Sequence, residues 1–404
     1  MELFPAILIG GPPNSGKSVL TYSLSQMLRK RGVAHYVLRA APDGEGDWFL
    51  EGESVQVRLL RVKGPFDARW VDRILRDIRN RHLPLLVDAG GLPTPDQERI
   101  LSAVTHAVLL TRDPAARPEW RHRFHRYGLN LVADLDSRLE GPSRIVEELP
   151  VLRGVITGLM RGRTAEGPVF EALVERVVTL FRYDPEELRR YHLDMAPHVD
   201  WVIELNRLAR MLGVRLEGEA PRWEPGDLPR TLESLPAGKP LALYDRGPAW
   251  LYAALAVHAL PSPVFQFDVR LGWVEPPKVA VGKPMSAASL ETSPLFFEVE
   301  ASGDLWRLAV RLRHPYLERE EAEGLPAPAV PEDGFLVLEG KLPLWLWTAL
   351  ARAYAGVRVL AVFEPRTSEA VVVASRDPAF PVGAVRSVTF PPAGSSGDPG
   401  GCPS

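Results

Sequence analysis

The sequence predicts an α/β chain with more than one domain: a parallel-sheet unit first, a helical connector next, and a duplicated α+β module last. Three observations predict this. Apolar strand-like runs alternate with helical stretches through residues 1–160, the pattern of a sheet with helices on both faces. A helical run occupies 161–213. Behind it, Pro248-Ala-Trp-Leu-Tyr-Ala-Ala-Leu-Ala256 recurs as Pro343-Leu-Trp-Leu-Trp-Thr-Ala-Leu-Ala351, identical at six of nine positions with an offset of 95. At 404 residues the chain is too long for one ordinary core.

In the first part, the predicted strands are Ala6–Ile9, His35–Leu38, Pro84–Asp88, Ala107–Leu110 and Leu129–Ala133. The helices between them are Asp67–Arg81, Pro95–Ala103 and Pro118–Tyr127. The connector reads as helices Val169–Phe181, Pro185–Tyr191 and Val199–Leu212. In the last, Trp201, Ile203, Leu205, Leu208 and Leu212 form an apolar face, and Gly213 is the stop. Each repeat copy has an apolar strand before it, Leu241–Tyr244 and Phe335–Leu338, and one after it, Pro263–Phe267 and Val359–Phe363. Both copies end in Phe-acid-x-Arg, at Phe267–Arg270 and Phe363–Arg366. The repeats therefore span 214–290 and 295–390. The Pro, Gly and Ser tail 391–404 lacks the apolar side chains needed to order itself.

Composition narrows the function classes. Net charge is −3, which predicts no general affinity for duplex DNA, so any polyanion must be met by local cations. The one cysteine, Cys402, excludes disulfides and cysteine-rich zinc sites and fits a cytoplasmic location. No run reaches the roughly 20 apolar residues of a membrane span, and a core strand so near the start predicts no signal peptide.

The most specific motif is Gly11-Pro12-Pro13-Asn14-Ser15-Gly16-Lys17-Ser18, a Gly-x4-Gly-Lys-Ser loop between the first strand and a helix opening at Val19. A strand, a glycine-rich turn and a helix N-terminus aim peptide N–H groups at a phosphate chain. Gly11, Asn14, Ser15, Gly16, Lys17, Ser18 and Val19 are therefore expected to bind ATP. Lys17 would reach the β/γ-phosphates, and the Ser18 hydroxyl would ligate Mg²⁺. Asp88, at the end of an apolar strand, is the second expected Mg²⁺ group. Asp43, Glu45 and Asp47 follow the second strand, where either Asp43 or Asp47 positions a water or a second substrate or the segment is an acidic solvated loop. Thr111-Arg112-Asp113 follows the fourth, where a base or ribose could be contacted. His122 and His125 read as a solvated helix face, and His192 and His198 as structural.

In the repeats, Arg246-Gly247-Pro248 and Lys341-Leu342-Pro343 each place a cation at a helix start, an anion site in miniature. Pro248 and Pro343 are expected near the first helical position. Trp250 and Trp345 are either core anchors or stacking platforms. Arg270 and Arg366 leave strand ends either as guanidinium forks suited to phosphate or as partners in a turn salt bridge.

The motifs Gly340-Lys-Leu-Pro-Leu-Trp-Leu-Trp347, Ala361-Val-Phe-Glu-Pro-Arg366 and Glu369-Ala-Val-Val-Val373 resemble the Csx-type CRISPR ring nucleases. Arg246-Gly-Pro-Ala-Trp-Leu251 and Asp268-Val-Arg-Leu-Gly272 resemble them as well. The front part resembles the P-loop domain that some members carry as a fusion. The resemblance implies a type III CRISPR accessory protein, an N-terminal P-loop NTPase joined to a tandem ring-nuclease-like module. It implies binding and cleavage of cyclic tetra-adenylate or a related cyclic oligoadenylate, with Mn²⁺ as helper and a homo-oligomeric assembly. Asp268, Arg270, Glu364 and Arg366 would be the catalytic set. Arg246, Gly247, Pro248, Trp250, Lys341, Pro343 and Trp345 would line the ring with Arg270 and Arg366. The family's histidines late in the helix and past the final strand correspond here to Val257, Arg352 and Arg376, with His258 one position along. Two rival readings remain: a non-catalytic sensor whose ring binding gates ATP hydrolysis, and a small-molecule kinase in which the repeat is a scaffold.

Overall fold

Strand β1 (Ala6–Gly10) is buried along its whole length, and its alternation explains the layering around it. Ile7 and Ile9 face one cluster, with Leu20, Leu24 and Leu28 of α1 (Lys17–Lys30) and Val169, Phe170, Leu173 and Val177 of a later helix (Pro168–Phe181). Ala6 and Leu8 face the other, with Ile74 and Ile78 of α2 (Ala68–Arg79) and Trp120 and Phe124 of α3 (Arg117–Arg126). Successive side chains on a strand point to opposite faces, so one all-apolar strand serves two cores and places the sheet between two helical layers.

The computed structural model describes residues 4–40, 68–89, 95–218, 220–282, 293–313 and 317–388. The acidic segment at Asp43, Glu45 and Asp47, and the 391–404 tail, lie outside the described residues. Contact clustering divides the chain into two units. The first is Met1–Ala196 with Asp268–Trp273, and the second is Pro197–Phe267 with Val274–Ser404. The chain is mixed α/β throughout.

The first unit holds a seven-stranded sheet in the order β2-β3-β1-β4-β5-β7-β6. Its strands are β1, β2 (Tyr36–Ala40), β3 (Leu85–Ala89), β4 (His106–Thr111), β5 (Asn130–Arg138), β6 (Arg144–Glu147) and β7 (Leu152–Thr157). All are parallel except β6, which runs antiparallel to β7. The order reverses direction at β1, between β3 and β4, and such a switch point opens a crevice beyond the carboxyl ends of the strands. Helices α4 (Pro168–Phe181) and α5 (Pro185–Asp194) complete this unit; Asp184 caps α5 by accepting from Glu186 N at 2.7 Å.

The second unit holds two principal sheets. Its first contains three parallel strands, β8 (Trp201–Glu204), β9 (Leu241–Tyr244) and β10 (Val264–Asp268), with β9 central. Its second has the order β11-β12-β13-β14-β15-β16. These strands are Leu295–Ser302, Leu305–Leu312, Phe335–Gly340, Val359–Glu364, Glu369–Ser375 and Val385–Ser387. Helix α6 (Leu205–Met211) follows β8. Helix α7 (Ala249–His258) joins β9 to β10, and α8 (Leu344–Ala353) joins β13 to β14. Both crossovers link parallel neighbours, Leu241 beside Val264 and Phe335 beside Val359. The helices α7 and α8 pack on each other.

Several expectations need correction. Trp201–Glu204 is a strand, and only Leu205–Met211 of the expected helix is helical. The apolar spacing fitted a helix, but Trp-Val-Ile favours an extended chain once β9 is available as a neighbour. Strand β8 runs parallel to β9 as β12 runs parallel to β13. In both sheets a parallel strand therefore flanks the strand that enters the Pro-x-Trp helix. By contact clustering, α4 and α5 of the 161–213 segment fall in the first unit, and the chain enters the second at Pro197. The α2 boundaries are Ala68–Arg79, and Pro95–Ala103 resolves into the helical turn Pro95–Glu98 and the 3-10 turn Arg99–Ser102.

Candidate nucleotide and polyanion sites

The glycine-rich loop leaves β1 at the switch point. Gly11 has φ 144°, and a Cβ built there would stand 1.9 Å from the Leu110 carbonyl oxygen on β4. Only glycine lets β1 and β4 stay paired while the loop turns away. Asn14 lies at φ 60° and Gly16 at φ 89°. A Cβ on Gly16 would stand 2.7 Å from the Leu159 Cβ, so the segment after β7 lies against the loop. Helix α1 opens at Lys17, and its first intrahelical bond runs from Leu20 N to Gly16 O at 3.0 Å. The peptide N–H groups of Lys17, Ser18 and Val19 precede that bond and point out of the helix start, where an anion is favoured.

The buried Lys17 ammonium donates to Pro12 O at 2.7 Å, and the buried Ser15 hydroxyl donates to the same oxygen at 2.5 Å. Asp88 is buried on β3, in register with Ile9 of β1 and Arg39 of β2. Asp88 thus stands near the end of β3, and the neighbouring β1 leads through the loop to the half-buried Ser18 in the first turn of α1. Tight glycines, an N-terminal helix start, a buried lysine and an adjacent carboxylate fit a nucleoside triphosphate with Mg²⁺. Arg112 reaches the same loop, its Nη1 lying 3.5 Å from Asn14 O.

Across the crossovers of the second unit, the helix starts agree. Pro248 and Pro343 both sit at the N-cap, with ψ 152° and 146°, one position before the expected first helical residue. A proline carries no N–H to leave unpaired there. Arg246 and Lys341 are exposed beside these caps. At Gly247 a Cβ would lie 3.2 Å from Leu205 Cδ1, and at Gly340 one would lie 2.4 Å from Val310 O. The Asp245 carboxylate accepts from Asn206 N at 3.0 Å, and Tyr252 Oη donates to Asp245 O at 2.5 Å. Trp250 and Trp345 are 2% and 1% exposed. Their side chains are buried core anchors.

The strand exits diverge. Glu364 accepts from Arg366 N at 3.2 Å and from its Nε at 3.0 Å, while the Arg366 side chain is 81% exposed. Asp268 likewise accepts from Arg270 N and Leu271 N, at 2.8 and 3.1 Å. The Arg270 guanidinium, however, is 10% exposed and paired with the buried Asp77 of α2 at 3.2 Å, inside the first unit. Val269 packs with Phe4, Leu83 and Leu188. The expected Arg270 phosphate fork is therefore a buried ion pair. Nothing in the sequence signalled Asp77 as its partner, 193 positions away.

The positions that correspond to family histidines are also occupied by structural work. Arg352 donates to Ala256 O and Ser262 O, both at 2.9 Å, tying the end of α8 to the first repeat, and burial lowers its pKa. Arg376 donates to Gly356 O. His258 lies 3.1 Å from Leu235 O. Buried His192 lies 2.8 Å from His82 O and receives the Trp273 indole N–H on its own carbonyl at 2.8 Å. Burial pushes its pKa down to about 4. His122 and His125 are exposed. Among the described residues no group of three or more His, Cys, Asp or Glu side chains is placed to hold a metal ion.

Residues 311–387 match the family model for a CRISPR-associated protein, Cas_csx3. The match runs from the end of β12 to β16 and takes in Lys341, Glu364 and Arg366. It supports a CRISPR-associated protein. No curated protein matches the chain. Among the described residues no helix is long and apolar enough to cross a membrane.

Proposed function

We propose that this chain is a type III CRISPR accessory protein whose second repeat binds cyclic oligoadenylate and whose first unit binds ATP with Mg²⁺. One observation carries the reading: the Cas_csx3 match falls on the repeat that exposes Lys341 at a helix start and Arg366 at a strand exit. A small cyclic polyanion presents phosphates at fixed spacing, and cations held on short turns between regular elements suit it. Arg246 adds a third exposed cation from the first repeat.

Degradation of the ring is the activity that follows. A ribose 2′-oxygen attacks its neighbouring phosphorus, the O2′–P bond forms, and the P–O5′ bond breaks. The 2′-hydroxyl proton leaves to solvent and the 5′-oxygen takes one up. The protein's part is to hold the ribose in line and to offset phosphorane charge with Arg366 and Lys341.

A second reading, the non-catalytic sensor, is favoured by the commitment of Arg270 to Asp77 and of Arg352 and Arg376 to backbone carbonyls. Incubating the full chain with labelled cyclic tetra-adenylate separates the two. Conversion to linear fragments supports degradation, and a tightly bound intact ring supports the sensor. Failure to bind any cyclic oligoadenylate overturns both.

A further inference from the structure

We propose that Arg112 binds the terminal phosphate of the nucleotide and makes the first unit discriminate triphosphate from diphosphate. The inference rests on the nucleotide-binding reading of the glycine-rich loop. It begins with strand order. The loop leaves β1, which lies between β3 and β4. Strand β3 brings Asp88 to one side of the loop, and β4 ends at Thr111 and delivers Arg112 to the other.

The turn carrying Arg112 is rigid. The buried Thr111 hydroxyl donates to Asp113 O at 2.7 Å and lies 3.1 Å from Asp113 N as its acceptor. The Asp113 carboxylate in turn accepts from Ala115 N at 2.9 Å. Both side chains flanking Arg112 are thus used in fixing its backbone, and preorganisation of this kind keeps a cation in place without further ordering cost.

The next two arginines after Arg112 are committed elsewhere. Arg117 pairs with the buried Asp134 at 3.3 Å and with Asp136. Arg121 donates through Nε to Asp134 at 2.6 Å. Arg112 is exposed, has no carboxylate partner among the described residues, and turns toward Asn14 O, at the bend of the loop. A carbonyl is a neutral acceptor for one of five guanidinium donors, whereas a terminal phosphate offers charged oxygens in the geometry the fork matches. The helix start serves phosphates that di- and triphosphate share, and Lys17 reaches across the β/γ-phosphates. A cation at the outer bend of the loop serves the phosphate that only the triphosphate has.

The test is calorimetric titration of the full chain with Mg²⁺ and either ADP or a non-hydrolysable ATP analogue. Arg112→Ala should weaken the triphosphate analogue about tenfold or more and leave ADP within about twofold. Arg112→Lys should fall between, because a point charge replaces a fork. Equal losses for both ligands, or no loss for either, would overturn the assignment. Lys17→Ala, which should weaken both, separates the two levels of the argument. If the unaltered chain binds neither nucleotide, the loop reading falls and takes Arg112 with it. If it binds both and Arg112→Ala changes nothing, only the Arg112 assignment falls.

Discussion

Arg270 and Arg366 end equivalent strands with the same acid-x-Arg turn, and burial separates their roles. Removing the Arg270 guanidinium leaves Asp77 buried beside a lost charge partner, so Arg270→Met should cost about 3 kcal/mol of stability. Arg366→Met, at an exposed pair, should cost less than about 1 kcal/mol. Urea denaturation of the two variants checks the contrast. His192 supplies a pH dependence whose sign is fixed by its depressed pKa of about 4. The unfolded chain, with an ordinary histidine near 6.5, binds the proton first. The stabilisation from neutral His192 is complete above pH 6.5 and is lost as pH falls toward 4, by on the order of 2 kcal/mol. Burial shifts His82 in the same direction. Unfolding midpoints measured from pH 7.5 to pH 4.5 should fall, and His192→Gln should flatten that slope.

Elements were legible where local chemistry decides them. The Gly11–Ser18 motif declares itself because each residue type answers a local demand, and the structure places Gly11–Gly16 between β1 and α1, with Lys17 and Ser18 opening the helix. Gly11→Ala should drive a Cβ into the Leu110 carbonyl and cost at least about 3 kcal/mol, measured by thermal unfolding without nucleotide. Gly128→Ala, where the φ is 68° but nothing lies within 4 Å, should cost about 1 kcal/mol. The paired crossovers from β9 to β10 and β13 to β14 were legible for a related reason: a proline cap, a buried tryptophan and an apolar strand repeat together. Strand β8 was not legible, since its pairing with β9 joins residues 40 positions apart and Trp201-Val-Ile fits either period. Strand β6 was missed because Arg144–Glu147 is partly solvent-facing and carries little apolar alternation, and β7, though mostly buried, because Arg153 and Gly154 interrupt its apolar run. The fate of Arg270 was illegible because its partner is set by tertiary folding alone.

At the scale of the whole molecule, the unit boundaries follow the cores. A cut at residue 160 looks natural from the alternating pattern, yet α4 contributes Val169, Phe170, Leu173, Val174, Val177, Val178 and Phe181 to the cluster that holds β1 and α1. A fragment of residues 1–160 should therefore lose near-ultraviolet circular dichroism and expose apolar surface to dye, while the full chain does neither. The two proposed ligands also have separate addresses: a triphosphate at the switch point of the first unit, and a cyclic polyanion at the exposed turns of the second. The central claim concerns the second, and one titration tests it most directly. Fluorescent cyclic tetra-adenylate is titrated against the full chain and against Lys341→Glu/Arg366→Glu. Affinity should drop at least about a hundredfold with the fold and ATP binding intact; unchanged affinity would contradict the assignment of these two turns as the ring-binding surface.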